Sequence, residues 1–144
     1  MENCSNKEIA RIFVEEIWSE GDEAVIESYM HKEIEFHDPM IDGIESREDF
    51  QVVLSELHDG FPDFSFEPDR YICDTDTVSI IGDVSGTHGG EFFGITSSGR
   101  DLSLNAMKTI RVENGRIVER WSSFDTAVIL LELGFSPLAW PNWG

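Results

Sequence analysis

Apolar residues recur along this chain at two periods, and the change from one to the other divides it. Ile9, Ile12, Phe13 and Ile17 follow one another at helical spacing after Ser5-Asn6-Lys7-Glu8, a capping-box pattern, and Gly21 closes the run. A shorter helix is predicted from Asp22 to Met30, burying Val25, Ile26 and Tyr29. Glu33 to His37 alternates polar and apolar, as a short strand does, and Asp38-Pro39 ends it. Ser46 to Asp49 opens a third helix with Phe50, Val53, Leu54 and Leu57 on one side and Gly60 after it. From Asp63 the period is two. Strands are predicted around Phe64 to Cys73 (interrupted at Pro68), from Thr77 to His88, from Asp101 to Val112 and from Arg116 to Phe124. Thr126 to Leu133 reads as a last helix, closed by Gly134. Hairpin-linked strands cannot make a parallel sheet, so the order predicts an α+β fold, an antiparallel sheet with helices gathered on one face. No linker or repeat interrupts residues 1–134, which form one domain; residues 135–144, with Trp140 and Trp143, are an aromatic tail expected to lie on the body.

The turn Asn114-Gly115 joins the last two strands, and its register decides which residues face inward. A two-residue turn sets Lys108 opposite Trp121. A three-residue turn sets Met107 opposite Trp121 and Arg111 opposite Ile117, and it separates the faces better. One face then carries Leu104, Ala106, Ile110, Val112, Val118 and Phe124, with Lys108 and Arg120 as exceptions. The other carries Asn105, Met107, Thr109, Arg111, Glu119, Trp121, Ser123 and Asp125. Either the apolar face is the core, or the mixed face lines a helix-covered cavity and the apolar face needs a cover from a second subunit. Composition leaves both open.

Charge changes the picture of partners. The chain has 144 residues with 29 Asp and Glu against 10 Lys and Arg, a net charge of −19. Nucleic acid and anionic membranes both call for a basic face, so neither is an expected partner. The acids are scattered, as on a surface adapted to concentrated salt, where self-repulsion is screened. Hydrophobic residues at 40%, with 10 Phe and 4 Trp, point to a folded core. No stretch nears the roughly 20 apolar residues of a membrane span, and Met1 to Glu8 lacks a signal-peptide pattern, so the expected compartment is the cytoplasm. Cys4 and Cys73 fit neither a zinc site nor a disulfide framework and are expected as free thiols.

Several motifs together resemble a known family. Gly86-Thr87-His88-Gly89-Gly90-Glu91-Phe92-Phe93-Gly94 and Ser98-Gly99-Arg100 are followed by Arg111, Gly115-Arg116-Ile117-Val118-Glu119, Trp121, Asp125 and Leu133-Gly134. With Phe61-Pro62-Asp63-Phe64 and His37-Asp38-Pro39 before them, they resemble the SnoaL-like polyketide and ester cyclases of the nuclear-transport-factor-like superfamily, from about Ile9 to Gly134. The resemblance implies a cone-shaped half-barrel, a curved mixed or antiparallel sheet with helices on its concave face, a cavity between them, and commonly a homodimer, here through the outer sheet face. It favours the mixed face as cavity lining. It also implies that Asp125 is the general acid/base of an intramolecular aldol closure that uses no metal and no cofactor.

The candidate catalytic residues are therefore Asp125, His37 and Arg111. A buried carboxylate is raised towards the range useful for proton transfer at neutral pH, and Trp121 and Met107 offer such surroundings. Asp125 is also placed to cap the final helix, and Arg111 to pair with Glu119 across the sheet. The candidate substrate-lining residues are Trp121, His88, Met107, Asn105, Thr109, Tyr29 and Phe61. His88 could equally fix the glycine-rich loop. The four His lack metal-ligand spacing, and no metal is assigned. The expected function is an aldol-type cyclase or isomerase acting on an apolar carbonyl compound. The alternatives are a non-catalytic ligand-binding or dimeric accessory protein and, with less support, an epoxide hydrolase, whose paired acids bridged by an Arg are incomplete here.

Overall fold

In a computed structural model, residues 6–37, 44–92 and 94–124 are described, Ser123 and Phe124 by their backbone alone. Helix α1 (Lys7–Ile12) runs directly into a π-helical segment (Phe13–Trp18), where the Ser19 N–H donates to the Val14 carbonyl at 3.1 Å. Gly21, at φ +66°, ends this arm. Helix α2 (Glu23–Tyr29) follows at once, because the Asp22 side chain accepts from the Ala24 and Val25 amides. Strand β1 (Met30–His37) and helix α3 (Arg47–Gly60) come next, the helix capped by Ser46, whose Oγ accepts from the Asp49 N–H at 3.1 Å. Strands β2 (Ser65–Asp74), β3 (Thr77–Thr87), β4 (Asp101–Glu113) and β5 (Arg116–Phe124) complete the element order expected from the sequence. Ser5, the last helix and the aromatic tail lie outside the described residues.

Among the described residues the strands form one five-stranded open sheet in the order β1-β5-β4-β3-β2. Only β1 and β5 are parallel; the other neighbours are antiparallel. The fold is thus α+β with a mixed sheet. Among the described residues no helix is long and apolar enough to cross a membrane. Cys73, half-buried on β2, is disulfide-bonded, which corrects the expectation of a free thiol; Cys4 lies outside the described residues.

The two-residue register of the last hairpin holds at the turn and is lost beyond it. Asn114 and Gly115, both at positive φ, make a two-residue turn that pairs Glu113 with Arg116 and Val112 with Ile117. Val118 is then an extra residue, and beyond it Arg111 pairs with Glu119, Thr109 with Trp121 and Lys108 with Ser122. The bulge shifts every partner beyond Val118, and the result keeps Asn105, Met107, Thr109, Arg111, Glu119 and Trp121 together on one face.

That face is the outer one. The helices cover the opposite face, where Leu102, Ala106, Ile110, Val112 and Ile117 join Phe13, Ile17, Trp18, Ile26, Phe50 and Leu54 in a single core. Trp18 meets Phe13, Phe50 and Phe64 at ring separations of 5.4 to 6.2 Å, and Phe36 stacks on Phe50 at 5.6 Å. Met107, by contrast, is 51% exposed and Trp121 37%. The mixed face therefore does not line the helix-covered interior, which corrects that expectation for Asn105, Met107, Thr109 and Trp121. The physical reason is area: the apolar face buries far more hydrocarbon against α1 to α3 than the mixed face could. The premise for a dimer, an apolar outer face in need of a cover, falls with it.

Candidate functional site

Two groups of polar side chains stand out, one on each face. The inner one interrupts the core. Lys108, Arg120 and Ser122 are 3%, 0% and 4% exposed, on the face that β4 and β5 turn to the helices. Lys108 Nζ donates to Ser122 Oγ at 2.6 Å, a contact set by their cross-strand pairing. The same nitrogen lies 3.9 Å from the centroid of the Trp18 ring. The Arg120 guanidinium lies 5.6 Å from the Trp18 ring and 5.2 Å from those of Phe36 and Phe50. A desolvated cation over an aromatic face gains about 2 kcal/mol, which offsets part of the cost of burying it. The Trp18 Nε1–H is itself buried with no hydrogen-bond partner among the described residues. Buried donors are rarely left unmatched. The arrangement is a set of N–H and O–H donors held by aromatic walls, suited to an oxygen atom that gains negative charge.

The outer group centres on Glu119. Arg111 Nε donates to its Oε1 at 2.9 Å, and His37 Nε2 is hydrogen-bonded to its Oε2 at 2.7 Å. The Arg111 guanidinium holds the Glu119 carboxyl below its usual range, with His37 adding to the effect, and Glu119 in turn raises Arg111. Arg111 also pairs with Glu113, so it bridges two acids. This is the arrangement of acids that the sequence left incomplete, but it stands on the open face. His37 stacks on Trp121 with centroids 5.1 Å apart. Glu35, two residues from His37 on β1, brings a second carboxylate, and donor atoms of Glu35, His37 and Glu119 all lie within 4.8 Å of one another. These three residues could hold a divalent cation, although Arg111 and His37 already engage both Glu119 oxygens. Around them, Asn105 bonds Asp83, and Ser79 pairs with Thr109 at 2.8 Å.

The remaining candidates separate further. His88 is fully buried; its ring stacks on Phe61 at 5.3 Å, and its Nδ1 accepts from the Ser98 N–H at 3.2 Å. With the Gly99 amide donating to the His88 carbonyl, this residue pins the glycine-rich loop. The loop also closes on α3, where the Gly89 and Gly90 amides donate to the Gly60 carbonyl. A Cβ at Gly90 would come within 2.0 Å of the Asp59 carbonyl oxygen, so only glycine fits. Tyr29 is half-buried at the end of α2, and Phe61 belongs to the core. Asp125 lies outside the described residues. Sequence reasoning did not single out Lys108, Arg120, Ser122 or Trp18 as site residues. The one available signal was two cations on an otherwise apolar strand face.

An open mixed sheet with helices on one side and polar groups set into the covered face is consistent with the nuclear-transport-factor-like cone fold. The model of the SnoaL-like polyketide cyclase family matches residues 8–133, and the chain belongs to that family. No curated protein matches it. Among solved structures, a candidate SnoaL-like polyketide cyclase from Jannaschia sp. CCS1 superposes with a TM-score of 0.85 at 17% identity, covering 95% of this chain and 99% of its own. IdmH from Streptomyces antibioticus, a candidate polyketide cyclase, gives 0.79 at 24% identity, covering 91% and 99%. AclR from Streptomyces galilaeus, a candidate hydroxylase, gives 0.78 at 25% identity, covering 90% and 80%.

Proposed function

We propose that this chain is an acid/base enzyme acting on an apolar carbonyl compound, an aldol-type cyclase or isomerase, with the substrate held against the helix-covered face and Asp125 as general acid/base. The observation that carries the reading is the inner group: Lys108, Arg120 and Ser122 buried among Trp18, Phe36 and Phe50. Apolar walls with a few convergent donors are what a carbonyl ligand of this kind needs. Removing the proton beside a carbonyl moves negative charge onto its oxygen, and the donors of Arg120, Lys108 and Ser122 would stabilise that enolate. The Asp125 carboxylate takes the proton and returns it after the new bond forms. Family membership supports the reading, while the candidate assignments of AclR and IdmH differ in reaction and leave the substrate to experiment.

The test is a thermal-shift panel of polycyclic ketones, steroids, acyl esters and small epoxides, followed by turnover of the hits. A ligand at 100 times its dissociation constant adds about 2.7 kcal/mol of stability. Asp125→Asn should keep the shift and lose turnover. Unchanged turnover in that variant overturns the assignment of Asp125, and a panel in which only epoxides bind overturns the carbonyl substrate.

A further inference from the structure

We propose that a cleft between α2 and α3 binds an organic ammonium ion with an apolar body. It is separate from the donors assigned to the carbonyl substrate, since none of Lys108, Arg120 and Ser122 lines it. The cleft holds about 540 Å³ and opens between the end of the first helical arm, at Glu20 and Gly21, and the two helices. Ile26 and Leu54, 1% and 3% exposed, give it an apolar floor, and Val52, which lines it too, is left 64% exposed. Three carboxylates, Glu20, Glu23 and Glu48, share the cleft, and none of its lining residues is a Lys or Arg. Glu20 and Glu23 have no ion-pair partner among the described residues, and Glu48 has only Arg47 Nε at 4.0 Å. First turns of helices favour acids, which accounts for Glu23 and Glu48 one at a time. It does not account for Gln51, whose Nε2 is buried at the cleft with no hydrogen-bond partner among the described residues. Buried amides are rarely left unmatched. Turned about its last bond, this amide presents Oε1 in place of Nε2, an acceptor for an N⁺–H. Carboxylates and an amide oxygen over an apolar floor suit a cation that carries hydrocarbon.

Charge alone does not make a site here, because a net charge of −19 draws every small cation to the chain. Two properties separate the cleft from that background. Diffuse attraction is screened away at about 1 M salt, where the Debye length is about 3 Å, whereas burial of hydrocarbon is not. An apolar body must also add affinity over a bare ammonium, and the same body on a carboxylate must lose it to like charge. A ligand of this size reaches a dissociation constant of about 1 mM, within the range of amide NMR.

The test is an amide NMR titration of the full isotope-labelled chain with phenethylamine, and with ethylamine and phenylacetate as comparators. Phenethylamine should shift the backbone amides of Gly21, Gln51 and Ser55. The side-chain amide of Gln51, the only glutamine in the sequence, should move with them. Raising the salt from about 0.1 M to about 1 M should weaken binding no more than about fivefold. Both comparators should bind at least about tenfold more weakly. At the lower salt the double variant Glu23→Gln, Glu48→Gln should weaken phenethylamine about fivefold, and Val52→Ser about threefold. These positions are exposed, and the rest of each spectrum reports the fold of the variant. Shifts spread over the acidic surface, equal for ethylamine and lost in high salt, overturn the proposal, as diffuse charge then explains them. Shifts confined to another part of the chain, phenylacetate bound as tightly as phenethylamine, or unchanged affinity in both variants overturn it as well.

Discussion

Replacing Trp18 by Leu removes the ring that Lys108 and Arg120 both lie against, and the structure sets the size of the loss. Lys108 Nζ is 3.9 Å from the ring centroid in a desolvated setting, which places its share near 2 kcal/mol. The edge contacts to Phe13 and Phe50 add about 1 kcal/mol each beyond area. Those losses occur whatever residue stands at position 108, so a double-mutant cycle with Lys108→Met isolates the cation–ring term. Urea unfolding followed by far-UV circular dichroism should give a coupling energy of about 1–2 kcal/mol between the two substitutions. In a domain of this size, that corresponds to roughly 3–6 °C of non-additivity in the melting midpoint. Additivity within about 0.5 kcal/mol would refute the claim that the indole stabilises the buried cation.

Two further outcomes follow from the outer face and from α3. Glu119 is held below its ordinary carboxyl value, so its contribution is fully present above the unfolded value near 4.5 and is lost as pH falls through the lower folded one. Glu119→Gln should therefore cost about 1 kcal/mol at pH 7, with the gap to wild type closing as the pH falls below 4.5 in acid titrations; a gap constant from pH 7 to pH 2 would contradict the pairing with Arg111. Ser46→Ala removes the cap of α3 and should cost about 1 kcal/mol, lowering the melting midpoint by about 3 °C, whereas no change in the midpoint would mean that Asp49 does not depend on it.

The elements were legible because their ends are written in local chemistry. Asp22 and Ser46 cap helices as their residue types suggest, and Asn114-Gly115 turns as that pair does. The π-helical turns of Phe13–Trp18 had no such mark, since they follow from packing rather than propensity. The hairpin register was lost to a single residue, Val118, whose bulge serves a neighbour distant in sequence: β1 pairs with β5 across it, with its own register shift between Met30 and Glu35. The two sheet faces were sorted correctly and then assigned to the wrong sides. Lys108 and Arg120 read as exceptions on an apolar face because the rings they lie against are far away in the chain. Trp18 precedes Lys108 by 90 positions, and only the fold brings it over the amine. The outer cluster of Arg111, Glu119 and Trp121 was legible as a group because the observed register differs from the three-residue one by two positions, an even shift that keeps the same side chains on one face.

The central claim is that ligand binds the helix-covered face and not the open one. Trp121 and Ser122 are consecutive residues on opposite faces, so they make the most direct comparison. The measurement is the dissociation constant of the tightest polycyclic ketone of the panel for Ser122→Ala and for Trp121→Ala, each against wild type. Loss of the inner hydroxyl should weaken binding about tenfold, equivalent to about 1.4 kcal/mol, while Trp121→Ala should stay within about twofold. Weakening by Trp121→Ala with Ser122→Ala unaffected would put the ligand on the outer face and contradict the account.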